Sequence, residues 1–155
     1  MTLVRLVGLA ALLLVAAGCA LFPGPSPDTR TERERRLADQ AAIWADAGID
    51  SYTFTISRGC FCPPEAIGPF VVTVEDGEVT AVSRGGVAVG ANDTHGVPLT
   101  IDGVFDLLGA VADEAELTVT WHAGLAYPIE ASVDPLPHAI DDEYTLVITE
   151  LTPAD

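Results

Sequence analysis

The apolar positions along this chain fall into three regimes with different periods. The first is an aliphatic run over residues 6–17, preceded by a single positive charge at Arg5. It is too short to cross a hydrocarbon core as a helix and reads as the core of an export signal. The second regime is helical. Leu37, Ala41 and Trp44 recur on one face, Thr31 and Glu34 stand at capping-box spacing, and Gly48 supplies a C-terminal stop, which predicts a helix over about residues 32–47. The third regime alternates. In Tyr52-Thr53-Phe54-Thr55-Ile56 the aromatic and branched residues share one face and the threonines the other, as in a strand buried on one side. Residues 57–68, carrying Cys60, Cys62, Pro63 and Pro64, read as a loop.

Two branched runs, 70–74 and 79–82, flank Glu75-Asp76-Gly77-Glu78, and Asp-Gly between such runs is a strong hairpin signal. With Asp76 and Gly77 as the loop residues, Val74 falls opposite Val79 and Val72 opposite Ala81. Residues 84–98, rich in glycine and small side chains, read as a loop or irregular edge. Thr100 is placed to cap a second helix whose stripe is Ile101, Phe105, Leu108 and Val111 or Ala112. Three further strands follow at 117–121, 127–133 and 144–151. Amphipathic helices and one-sided strands must bury their apolar faces against each other. The expected fold is therefore α+β, a two-layer sandwich with an antiparallel sheet of about six strands and two helices packed on one face. Phe54, Val72, Val74, Phe105, Trp121 and Ile148 are the expected core. The order helix, strand, hairpin and then helix, strand, strand, strand gives the two halves a common plan.

The chemistry of the amino terminus changes the picture of where this domain works. Ala16-Ala17-Gly18-Cys19 places small residues before a cysteine at the end of the apolar run. A lipoprotein signal peptidase requires this, and Cys19 would become the first residue after its thiol has been alkylated by diacylglycerol. Acyl chains on one residue suffice for stable anchoring when there are two or more. Residues 1–18 are thus expected to be a lipoprotein signal peptide, 19–30 a proline-rich tether and 31–155 a single domain. That domain would sit outside the cytoplasm, held to the cell membrane or outer membrane by its lipid.

Seven basic residues stand against 23 acidic ones, for a formal net charge of −16. Loss of Arg5 with the leader takes this to −17. Nucleic acid is excluded as a partner, because phosphate neutralisation needs a basic face. Arg30, Arg33, Arg35 and Arg36 cluster near the anchor, and only Arg58 and Arg84 follow. An anionic leaflet would attract the cluster and repel the acidic body.

No Gly-x-Ser-x-Gly elbow, His-Glu-x-x-His pair or phosphate-cradling glycine loop occurs, so no catalytic residues are assigned, and no cofactor or metal is implied. His95, His122 and His138 lie in three predicted loops and would form a soft-metal site with Cys60 and Cys62 only if those loops converged. Asp134, Asp141, Asp142 and Glu143 bracket one short loop but lack a regular calcium-ligand spacing. With Cys19 consumed by lipid, Cys60 and Cys62 are the two remaining thiols. An oxidising compartment leaves them each other as partners, in a small ring that fixes the turn before Pro63 and Pro64.

Trp44, Tyr52-Thr53-Phe54, Cys60-Phe61-Cys62-Pro63, Val74 with Asp76-Gly77-Glu78-Val79, Ile101 with Phe105-Asp106, Tyr127-Pro128 and Asp134 occur in a shared order. In these the chain resembles the uncharacterised bacterial lipoprotein family called domain of unknown function 6174, over roughly residues 44–151. Ala126 stands where the resemblance implies a glycine before the Tyr-Pro pair. The resemblance implies an exported, lipid-anchored domain and assigns no catalytic residues. Three function classes follow: a non-catalytic binding or assembly module of the envelope, acting on an envelope protein or small ligand; a metal-binding lipoprotein; and a thiol redox protein using Cys60 and Cys62.

Overall fold

The computed structural model describes residues 29–112, 115–136 and 138–154; the expected signal peptide, Cys19 and nearly all of the expected tether lie outside them. Two helices, α1 (Thr29–Asp46) and α2 (Ile101–Val111), accompany seven strands. The strands are β1 (Tyr52–Cys60), β2 (Phe70–Glu75), β3 (Glu78–Arg84), β4 (Val87–Ala88), β5 (Glu116–Trp121), β6 (Pro128–Asp134) and β7 (Tyr144–Pro153). Helix α1 starts at Thr29, before the Thr31–Glu34 pair at which its start was expected. Its end is as expected, with Gly48 at φ +63°, a conformation that costs glycine little.

All strand pairs are antiparallel and form one open sheet in the order β4-β3-β2-β1-β7-β6-β5. The fold is α+β as expected, but the sheet has seven strands where about six were expected. The additional strand is β4, which pairs Val87 with Arg84 and Ala88 with Ser83 across Gly85-Gly86. Both glycines have positive φ, the requirement of a two-residue hairpin turn. The expected common plan of the halves does not extend to placement. The first half starts at the sheet centre with β1 and steps outward, whereas the second starts at the edge with β5 and steps inward to β7.

Strand β1 runs four residues further than its alternating segment, into Ser57-Arg58-Gly59-Cys60, because β7 continues beside it and pairs Cys60 with Tyr144. At the Asp76-Gly77 turn, Glu75 pairs with Glu78 and Val74 with Val79 as expected. A bulge then inserts one residue of β3, so Val72 faces Val82 and not Ala81. A one-residue insertion exchanges the faces of a strand, and accordingly Val82 is buried while Ala81 is exposed.

The core lies between one face of the sheet and the helices. Tyr52, Phe54 and Ile56 of β1, Phe70, Val72 and Val74 of β2, Ala131 and Val133 of β6, and Leu146 and Ile148 of β7 are buried. They form one cluster with Leu37 and Trp44 of α1 and with Ile101, Val104, Phe105 and Leu108 of α2. Trp121, expected in the core, is half-buried. It lies on the edge strand β5 and stacks on Phe105 with ring centroids 5.9 Å apart.

Tyr52 joins three elements. Its ring meets Trp44 edge-on at 5.6 Å, and its hydroxyl accepts a hydrogen bond from the buried Ile101 amide at 2.9 Å. Thr100 Oγ1 accepts the Gly103 amide at 2.9 Å, so two of the free amides at the start of α2 are satisfied by side chains. Burial is the main reason that the Tyr52 phenol is raised above its ordinary value, with Asp102 adding to the effect against the Ile101 hydrogen bond. Tyr52→Phe keeps the ring and leaves the Ile101 amide without its acceptor. Chemical denaturation should show a loss of about 1 to 3 kcal/mol; no change would mean that the hydroxyl is dispensable.

Candidate functional site

The chemistry-bearing residues gather at the end of the sheet where β1 finishes and β7 starts. Cys60 closes β1, and the Cys60 and Cys62 sulfur atoms are in contact with Cα atoms 5.3 Å apart, a separation compatible with a bridge. Both cysteines are partly exposed, and Phe61 between them is 84% exposed. Two arginines brace this end by donating to backbone carbonyls. Arg58 donates to His95 O at 3.3 Å and Gly96 O at 3.0 Å, and its guanidinium stands 5.5 Å above the Tyr144 ring. Arg84 donates to Glu65 O at 2.9 Å and Pro64 O at 3.3 Å, which holds the turn after the cysteines against β3.

Beside them the sheet register lines up carboxylates. Glu116 pairs with Asp134 across β5 and β6, and the Val133–Tyr144 pair puts Glu143 next to Asp134. Both Asp142 carboxylate oxygens are buried without a hydrogen-bond partner. The Asp134 carboxyl is raised above its ordinary value, first by lost solvation and then by the like charges of Asp142, Glu116 and Glu143. Among the described residues no group of three His, Cys, Asp or Glu is placed to hold a metal ion. The three histidines do not converge with the cysteines. His95 follows the short 3-10 turn Ala91–Thr94, His138 is exposed in the β6–β7 loop, and His122 belongs to the β5–β6 turn. There its Nδ1 accepts the Leu125 amide at 3.0 Å and the Gly124 amide at 3.3 Å, and its ring stacks on Tyr127 at 4.7 Å.

A separate concavity runs between the first half of α1 and the edge strand β5. It is an open groove of about 310 Å³ lined by Glu32, Arg33, Arg36, Leu37 and by Leu117, Thr118, Val119 and Trp121 of β5. Arg33 is held in place by hydrogen bonds to Ala115 O at 2.8 Å and Ala112 O at 3.2 Å. Arg36 is exposed at the rim. Strand β5 ends the sheet, so its outer backbone edge is unpaired within the sheet, and such an edge is a template for an extended chain. The sequence signal for this groove was weak, since it joins a helix face and a strand about 80 residues apart.

The model of a family of unknown function, DUF6174, matches residues 36–153 of the chain. The chain belongs to that family. No curated protein and no solved structure matches it.

The DUF6174 match spans every strand and both cysteines of the sheet end, and it starts after Arg33 and Cys19. Within this DUF6174 domain, Ala126 occupies a glycine-like position, buried with φ +59°. The turn that needs this conformation is fixed by the Ala126 amide donating to His122 O at 2.9 Å and the His122 amide to Tyr127 O at 2.8 Å.

The raised Asp134 carboxyl gives the carboxylate row a pH signature. A folded-state value above the unfolded one means that ionised Asp134 opposes folding. This effect is complete above the folded value and is relieved as pH falls through it. Asp134→Asn should therefore be more stable than the parent at neutral pH, and the difference should vanish as pH falls to about 3, below the ordinary carboxylate value. Paired denaturation curves at the two pH values check this; a difference that does not change with pH would contradict it.

Proposed function

We propose that this domain is a lipid-anchored, extracytoplasmic binding or assembly module of the cell envelope, with no catalytic chemistry of its own. The anchor reading rests on the chain's first residues, where the apolar run ends in Ala16-Ala17-Gly18-Cys19, and diacylglycerol on Cys19 would hold the domain to the membrane. No helix among the described residues is long and apolar enough to cross a membrane, so on this reading the lipid does the anchoring. The single observation that carries the binding role is the groove beside β5, where an open strand edge, an apolar floor and the Arg36 cation lie together. That combination suits an extended segment of an envelope protein, or a small ligand, with apolar groups and a negative charge. The partner is a protein or small ligand and not a nucleic acid, in keeping with the acidic charge balance.

A second reading is favoured by the contact between Cys60 and Cys62 on an accessible loop. We take these two to be bonded in the mature protein, which leaves open a thiol-redox use of the pair, since accessible small-ring disulfides are reducible. A metal-binding use would need the pair reduced.

Intact-mass spectrometry of membrane-extracted protein reads both points. The expected species starts at Cys19, carries acyl chains and takes up no alkylating reagent until it is reduced. An unlipidated chain with its leader would contradict the anchor, and two alkylated thiols in unreduced protein would contradict the bridge. For the groove, a photo-crosslinking residue at exposed Thr118 should trap a discrete partner in intact membranes. One at exposed Thr149, on the strand β7 away from the groove, should not. Equal labelling from both positions would remove the groove from consideration.

A further inference from the structure

The four most exposed large apolar side chains among the described residues are Ile140 (87%), Phe61 (84%), Val87 (67%) and Leu136 (60%). Three of them, Ile140, Phe61 and Leu136, lie at one end of the sheet. Phe61 follows Cys60, which pairs with Tyr144. Leu136 and Ile140 lie in the loop between Asp134 and Tyr144, whereas Val87 follows the Gly85-Gly86 turn on the edge strand β4. Phe61 and Glu143 line the same shallow depression, so the β1–β2 and β6–β7 loops are neighbours. A soluble domain has no reason to concentrate such side chains in water.

The chain enters the fold at this same end. Arg33, near the start of α1, donates to Ala112 O and Ala115 O, immediately before Glu116, whose cross-strand partner is Asp134. The far end of α1 is at the other end of the sheet, where Trp44 meets Tyr52 and Tyr127. Residues 19–28, between the lipidation cysteine and α1, number ten and reach no more than about 36 Å even when fully extended. The apolar end is therefore the end nearest the tether and stays within that reach of whatever surface Cys19 is attached to.

We propose that this end of the domain docks on the lipid surface, with Phe61, Leu136 and Ile140 entering the interfacial layer while the opposite end points away. The proposal rests on the anchored reading given above. The lipid on Cys19 suffices for attachment, and short apolar loops beside it add a contact that fixes orientation, which a flexible tether does not. The partner is an electrically neutral headgroup surface, because Asp134, Asp141 and Glu143 flank the loop that carries Ile140 and oppose anionic lipid, which offsets the attraction of the arginines in the first turns of α1. Docking fixes the domain's orientation. The groove beside β5 then opens along the membrane plane at the height of the first turns of α1, and the Asp76-Gly77 turn faces outward.

The test uses full-length protein extracted from membranes and reconstituted into phosphatidylcholine vesicles. An environment-sensitive fluorophore is placed at Ile140→Cys or, at the opposite end, at exposed Glu78→Cys, and circular dichroism checks that each variant is folded. Vesicle flotation reports the anchor, and brominated phosphatidylcholine reports depth. The expected result is protein that floats, with emission at position 140 lowered about twofold or more by brominated lipid and emission at position 78 unchanged. Protein that floats with neither probe quenched, or with both quenched alike, would overturn the docking while leaving the anchor in place. Protein that does not float would overturn the anchor and the docking together. A Phe61→Ser/Leu136→Ser variant carrying the same probe at position 140 supplies a second reading. Quenching that survives the loss of both side chains would overturn their role in docking.

Discussion

The pairing of the first strand with the last is the constraint on which the rest of this structure depends. Strands β1 and β7 run side by side from Tyr52–Pro153 to Cys60–Tyr144, and this seam joins two meanders that are otherwise local in sequence. Everything to one side of it, β2 to β4, follows β1 by local antiparallel connections, and everything to the other side, β5 and β6, leads into β7 in the same way. Closing so long a loop is costly in chain entropy. The compensation lies on the buried face of the seam, where Tyr52, Phe54, Ile56, Leu146 and Ile148 meet the two helices. The same register sets Cys60 against Tyr144 and so makes neighbours of the cysteine loop and the acidic β6–β7 loop. The geometry of the candidate site is a by-product of the seam.

Charge is used sparingly in a chain with few cations. Among the described residues, Arg33, Arg58 and Arg84 point their guanidinium groups at backbone carbonyls of distant segments. Such charge-assisted hydrogen bonds are stronger than neutral ones, and each of these fastens an irregular connection: the end of α2, the turn before Val97, and the turn after Cys62. The acidic residues at the sheet end are arranged differently, although Asp134 does accept a hydrogen bond from the Leu136 backbone. They stand in a row across β5, β6 and the start of β7, where they repel one another and raise Asp134. An array of this kind suits a surface kept away from anionic partners.

Much of this was legible in the sequence wherever the signal was local. The alternation of Tyr52 to Ile56, the Asp76-Gly77 turn, the Thr100 cap and the stripe of α2 all led to elements of the right type in the right order. The core positions Phe54, Val72, Val74, Phe105 and Ile148 are buried. What escaped were effects set by a neighbour and not by the residue itself. Arg58-Gly59-Cys60 is extended because β7 lies beside it. The bulge in β3 exchanged Ala81 for Val82. Trp121 is half-buried because its strand is the outermost. Gly85-Gly86 carried a readable turn signal for β4, which the short and exposed Val87–Ala88 segment obscured. The groove and the apolar sheet end depend on residues far apart in the chain, and periodicity along a sequence holds no record of such meetings.

Hydrogen exchange on the intact protein tests the central role of the β1–β7 seam most directly. If the seam joins the two halves, the paired amides of residues 54–60 and 144–149 should be the most protected in the molecule and should share a single opening free energy equal to that of global unfolding. The outer strands β4 and β5 should exchange earlier and independently. The account would be contradicted if β1 opened together with β2 and β3 while β7 stayed protected with β6, because the two meanders would then be separate folding units and the seam a contact of no consequence.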